Sequence, residues 1–181
     1  MPITLARPAL RTVQIGGASK AELLQRLAAA QVQLNPAGQQ LFADERFRTS
    51  AQVRQILVQQ LSVAELGLPD GGVTAEILTA AARRGLAPCP LELAPHLRLQ
   101  LLDQEEGALG FAPTRHQSPP GAIRVVSEPL CEEYEVPKGF YLRRIEGVLW
   151  LRGYWSSADH LCRPDEQLVF VCQPGTASIT A

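Results

Sequence analysis

Three histidines and four cysteines are the side chains best able to move a proton, attack an electrophile or hold a metal, and their spacing limits what each could do. His160 and Cys162, in Asp159-His160-Leu161-Cys162, offer two metal ligands. Cys172 is a conceivable third and no fourth stands out, whereas a structural zinc site uses four; the pair reads as a loop histidine and a core cysteine, with no metal expected. Cys131 stands beside Glu132 and Glu133, which disfavour the thiolate a nucleophile needs. Cys89 lies between Pro88 and Pro90 with no base in view. His96 and His116 are of the right type for a general base, yet nothing in the residue order pairs either with a nucleophile. The catalytic residues are therefore unknown, and binding is expected ahead of catalysis.

The arginines and aromatic rings give a second kind of chemistry. Gly139 to Trp155, GFYLRRIEGVLWLRGYW, holds both tryptophans and two of the three tyrosines. It alternates with period two and breaks at Glu146-Gly147, which predicts a hairpin with a two-residue turn. That register sends Phe140, Leu142, Leu149 and Leu151 to one face and Tyr141, Arg143, Trp150, Arg152 and Tyr154 to the other. A slip by one residue would mix the two sets. Arginine, tryptophan and tyrosine are the types enriched at binding hot spots, so these five residues are the candidate binding surface. The same face could instead be a self-paired ladder, with Arg143 on Trp150 and Arg152 on Tyr141. The acidic run Glu128, Glu132, Glu133 and Glu135 reads as a solvated loop, or as a partner to Arg143 or Arg152.

A third candidate is Gly16-Gly17-Ala18-Ser19-Lys20, a strand-to-helix turn whose free N–H groups and lysine would suit an anion. It lacks the GxxxxGK[ST] spacing of a nucleotide loop and reads better as a serine-capped helix start.

The elements that must position these groups follow from the same patterns. Residues 1–10 and 175–181 read as tails. Arg11 to Ile15 is a short strand; Ser19 with Glu22 forms a capping box opening a helix to about Val32; Pro36 to about Ala43 is a second helix. Val53 to Val63 leans toward strand through its β-branched residues. Thr74 is read as the cap of a helix from Ala75 to Arg84. Ala21-Glu22-Leu23-Leu24 is echoed by Ala75-Glu76-Ile77-Leu78, and Pro36 by Pro90, which suggests a duplicated strand–loop–helix unit. Leu97 to Leu102, Ile123 to Ser127 and Gln167 to Cys172 read as strands. Helices early and strands late predict an α+β fold: a helix-rich part at 11–88 and a β-rich part at 89–174 around the hairpin at 139–155, forming one compact domain.

Two segments, PLELAPHLRLQLLDQ (Pro90–Gln104) and PKGFYLRRIEGVLWLRGY (Pro137–Tyr154), resemble a family of small bacterial proteins of uncharacterised function, with the similarity extending from about Ser19. The resemblance implies no activity, cofactor or site residue.

Length and charge narrow the rest. A chain of 181 residues, 46% hydrophobic and 19% charged, is globular and long enough for a real core. Its net charge of −1 supplies no drive toward nucleic acid or anionic lipid. No apolar run reaches membrane-span length and no basic-then-apolar leader opens the chain, so a cytoplasmic protein with reduced thiols and no cofactor is expected. The leading expectation is an interaction module with a protein partner, such as a regulator or an effector-neutralising protein. The alternative is a small enzyme on an anionic small molecule, with Arg143 and Arg152 as clamp and His116 or His160 as acid or base. A homodimer through an exposed strand edge is a third possibility.

Overall fold

A computed structural model describes residues 9–107 and 118–174. Its architecture is α+β: four helices pack on a mostly antiparallel eight-stranded sheet, and a two-stranded ribbon lies apart. The helices are α1 (Lys20–Ala29), α2 (Pro36–Ala43), α3 (Thr74–Arg83) and α4 (Leu93–Gln100). The strands are β1 (Ala9–Ile15), β2 (Gln33–Leu34), β3 (Arg54–Ser62), β4 (Gly72–Val73), β5 (Leu86–Ala87), β6 (Ile123–Val125), β7 (Gly139–Ile145), β8 (Val148–Tyr154), β9 (Leu161–Cys162) and β10 (Gln167–Cys172). The large sheet runs β1-β3-β10-β6-β7-β8-β2, with β5 on the end of β10; β4 and β9 form the ribbon. Among the named strands of the described residues, β10–β6 and β2–β8 are the parallel pairs, and Cys89 and Ser127 add an isolated parallel bridge. No helix among the described residues is long and apolar enough to cross a membrane.

Alternation along the strands divides the interior in two. One face carries Val125, Phe140, Leu142, Leu151 and Val169, which pack with Leu23 and Leu27 of α1, Leu41 and Phe42 of α2, and Leu93 and Leu97 of α4. Phe42, Phe47 and Phe140 meet there as tilted rings 5.4–6.1 Å apart. The opposite face carries Leu61, Leu168 and Phe170 under Ile77 and Ala81 of α3 and Cys162 of the ribbon. Among the described residues this second cluster draws on β3, β10, α3, the ribbon and Val126 after β6, and two hollows open on the polar face beside Arg124 and Tyr154.

One side chain fixes the hairpin to the helical layer. Asn35, the N-cap of α2, accepts through Oδ1 from Gly38 N (2.9 Å) and from Gly153 N (2.8 Å), while its Nδ2 donates to Gly153 O (3.0 Å). A cap residue thus doubles as a clasp on β8.

Several expectations need correction. Leu97 to Leu102 is not a strand; it belongs to α4 and its C-terminal end, with Leu93, Ala94, Leu97 and Leu101 all in the first core. Pro95 is tolerated because the first-turn N–H groups of a helix have no intrahelical partner. The first helix ends at Ala29, and Gln33 and Leu34 turn outward to pair with Trp150 and Leu151. Val73, not Thr74, is the cap of α3; lacking a side-chain oxygen, it supplies only half a capping box, its N–H donating to Glu76 Oε2 at 2.9 Å. Ala9 and Leu10, read as tail, open β1. The rest of both expected tails lies outside the described residues. Helices α1 and α3 lie 54 positions apart, Lys20 with Thr74 and Ala29 with Arg83, but they cover different faces of the sheet.

Candidate functional site

The hairpin adopts the expected register: Ile145 opposes Val148, Arg143 opposes Trp150 and Tyr141 opposes Arg152. Glu146 (φ 49°) and Gly147 (φ 78°) both occupy the left-handed region, which is how a two-residue turn matches the twist of its strands. Tyr141, Arg143, Trp150, Arg152 and Tyr154 share one face and all are half-buried. Their pairing differs in detail from the simple cross-strand expectation. Arg152 stacks on Trp150 of its own strand, 5.0 Å from the ring centre, and donates from Nε to Tyr141 Oη at 2.8 Å. Arg143 Nε is buried with no hydrogen-bond partner among the described residues.

The adjacent strand adds an arginine that the sequence reading passed over. In β6, Ile123 and Val125 face the first core, so alternation puts Arg124 on the polar face, opposite Tyr141. Arg124, Tyr141 and Arg152 make a row across three strands. Arg124 lies 5.8 Å from the Tyr154 ring centre and donates to Cys162 Sγ at 3.1 Å; its Nε is buried without a hydrogen-bond partner among the described residues. Burial alone would lower the pKa of this guanidinium, but Tyr154, Cys162 and Glu166 around it turn the shift upward. It stays a cation. Burial likewise pushes the Tyr154 hydroxyl and the Cys162 thiol up, and Arg124 opposes both shifts.

Above this row is a cleft of about 310 Å³ lined by Arg124, Tyr141, Tyr154, Trp155, Ser157 and His160, among others. A second hollow of about 340 Å³ shares Arg124, Tyr154 and Ser157, and runs toward Ile77 and Leu78 of α3 and Lys138. Tyr141 and Tyr154, 6.5 Å apart between ring centres, belong to the cleft wall. Trp150 and Arg152 instead form the stacked pair toward the sheet edge. Four of the five expected residues thus split into a cleft wall and a stacked pair, while Arg143 lines neither.

Beneath the cleft wall, His160, Cys162 and Glu166 bring one ligand atom each to within 4.8 Å of one another. Glu166 Oε2 accepts from Ser118 Oγ at 3.0 Å and Oε1 from Arg163 N at 3.2 Å. Cys172, the third ligand considered from sequence, is not in this group, and Glu166 takes its place. The signal was there in His160-Leu161-Cys162-Arg163-Pro164-Asp165-Glu166, where the turn at Pro164-Asp165 folds the glutamate back.

The remaining candidates resolve into structural roles, apart from His116, which lies outside the described residues. His96 is buried and its Nε2 accepts from Gly16 N at 3.1 Å, so it braces the glycine turn rather than entering the cleft. The turn's other N–H groups are also engaged: Gly17 N donates to Ser50 O at 2.8 Å, and Ser19 and Glu22 close a capping box. Lys20 Nζ donates to Asp44 O at 2.7 Å, so this helix start offers an anion little. Burial pushes the Cys89 thiol up. The acidic run engages through its main chain: Glu133 O accepts from Lys138 Nζ (2.8 Å) and Glu135 O from Trp155 Nε1 (3.3 Å).

Compared with known proteins, the chain matches no family model, no curated protein and no solved structure.

Proposed function

We propose that this chain binds a small anionic, ring-bearing molecule in the cleft over β6, β7 and β8. The observation that carries this reading is the convergence of Arg124, Tyr141, Tyr154 and His160 on one concavity. A histidine and an arginine meeting in a pocket is what an anion site of this kind requires, and a flat surface would not supply it. Arg124, from β6, takes the part that the sequence had suggested for Arg143 and Arg152. The guanidinium offers paired N–H donors to a carboxylate or phosphate, the tyrosine rings offer flat apolar walls, and Ser157 and its neighbours offer hydroxyls. A volume of about 310 Å³ sits at the small end of ligand pockets, which run from about 300 to 1,000 Å³.

Isothermal titration calorimetry with phenyl phosphate, benzoate and neutral benzyl alcohol tests this. The two anions should bind and the alcohol should not. Arg124→Gln should weaken the anions by about tenfold to a hundredfold, the worth of a charge-assisted hydrogen bond of about 1.5–3 kcal/mol. Equal binding of all three probes, or none at millimolar concentration, contradicts the proposal.

Two exposed rings at the cleft rim, Tyr134 (71% exposed) and Trp155 (50%), favour a second reading, in which the cleft receives an acidic side chain of a protein partner. An acidic, tyrosine-containing peptide that binds while every free small anion fails would select it.

A further inference from the structure

We infer that His160, Cys162 and Glu166 bind one zinc-class divalent cation, as three protein ligands with a fourth position left for water or a ligand from the cleft. The donors are an imidazole nitrogen, a sulfur and a carboxylate oxygen, a mixed set that suits zinc and its neighbours better than magnesium or calcium.

The local chain is built to bring them together. Cys162 pairs with Gly72 in the ribbon and Leu161 with Val73. Strand alternation turns Leu161 outward, 59% exposed, and places His160 and Cys162 on the same inner side. The chain then reverses at Pro164-Asp165. Arg163 pairs with Asp165 at 3.0 Å on the outside of that turn, and Glu166 N donates to Arg163 O at 3.2 Å. The result is a buried carboxylate returned over a fully buried sulfur. The three ligand atoms lie within 4.8 Å of one another, whereas tetrahedral zinc with these bond lengths needs about 3.5 Å between ligands. His160, half-buried between the exposed Asp159 and Leu161, is the least buried of the three ligands.

Two further contacts match the outer partners that orient metal ligands. Ser118 Oγ donates to Glu166 Oε2 at 3.0 Å, and Arg124 donates to Cys162 Sγ at 3.1 Å. A dication offset by a thiolate and a carboxylate leaves the centre neutral, with Arg124 beside it as net positive charge. The competing arrangement is a metal-free core in which the Cys162 thiol simply hydrogen-bonds Glu166.

Cobalt(II) chloride titrated into chelator-treated protein, followed by absorbance, separates the two. The proposal predicts one cobalt per chain with a thiolate-to-cobalt charge-transfer band, displaced by zinc chloride. Cys162→Ser abolishes the band, Cys131→Ser leaves it, and His160→Ala weakens binding by about tenfold or more. Circular dichroism checks that each variant is folded; His160→Ala, at a half-exposed position, keeps the test decisive should Cys162→Ser unfold. Absence of the band in the unmodified protein overturns the proposal, as does a band that survives Cys162→Ser, or unchanged affinity in His160→Ala. The anion calorimetry with Arg124→Gln is scored separately, so failure of one site is distinguishable from failure of the other.

Discussion

Replacing Gly153 by alanine should be among the most damaging single-methyl additions available in this fold. Gly153 is buried where β8 passes under α2, and an added Cβ would lie 2.5 Å from Ala37 C, 2.6 Å from Gly38 N and 2.8 Å from Ala37 O. These are backbone atoms, about 1 Å inside the favourable contact range of 3.5–4.0 Å, so no rotamer change relieves the clash. Helix α2 must move, and it is tied at that point by the two hydrogen bonds between Asn35 and Gly153. Overpacking costs about 1–3 kcal/mol, and straining two hydrogen bonds of about 1 kcal/mol each brings the total to about 3–5 kcal/mol. Gly147→Ala is the control. Its Cβ meets nothing within 4 Å, so only the backbone cost of φ 78° remains, about 1–2 kcal/mol. Urea unfolding measures both. With a slope of about 1–3 kcal/mol per molar, Gly153→Ala should lower the midpoint by at least about 1 M and by clearly more than Gly147→Ala. A loss for Gly153→Ala of about 1 kcal/mol or less, or a larger loss for Gly147→Ala, would refute the claim that α2 and β8 meet backbone to backbone.

Tyr141→Phe removes the acceptor of the Arg152 Nε–H and should cost about 1 kcal/mol in urea unfolding while leaving the hairpin intact by circular dichroism; no measurable cost would mean the ladder is not formed in solution. Burial, only partly offset by Glu92, holds the His96 pKa below its usual 6.5, with Arg26 adding to the depression. The unfolded chain therefore takes up that proton first as pH falls below about 6.5, so stability should drop from pH 6.5 toward 5 and recover on raising the pH. His96→Gln, which keeps an acceptor for Gly16 N, should flatten that slope; an unchanged pH profile would count against the buried neutral imidazole.

The hairpin was legible because its signal is local: period-two alternation, a glycine at the turn and two mismatched faces admit one register. The same local signal misled at α4. Leu97, Leu99 and Leu101 alternate like a strand, while Leu93, Ala94, Leu97 and Leu101 follow a helical stripe, and a short apolar run cannot decide between them. What decided it was burial against β1, β7 and β8, which only the tertiary structure supplies. Arg98 shows the same override: a charged residue, fully buried, held by Gln104 and by the carbonyl of Leu101. The cleft was harder to foresee because it is assembled across the sheet. Arg124 stood in a strand that was recognised, on its polar face, but nothing in the chain order says that β6 lies between β10 and β7. Glu166 was missed for another reason: a buried glutamate beside Asp165 looks like one more exposed acid until the turn brings it back to Cys162.

The two tryptophans give the most direct test of the cleft. Trp155 lies on its rim, whereas Trp150 is held by Arg152 in the ladder outside it. In a 15N-labelled sample titrated with phenyl phosphate, the indole N–H resonance of Trp155 should shift with saturation while that of Trp150 stays within its line width. A saturating shift of Trp150 alone, or no shift of either resonance, would contradict an anion site over β6, β7 and β8.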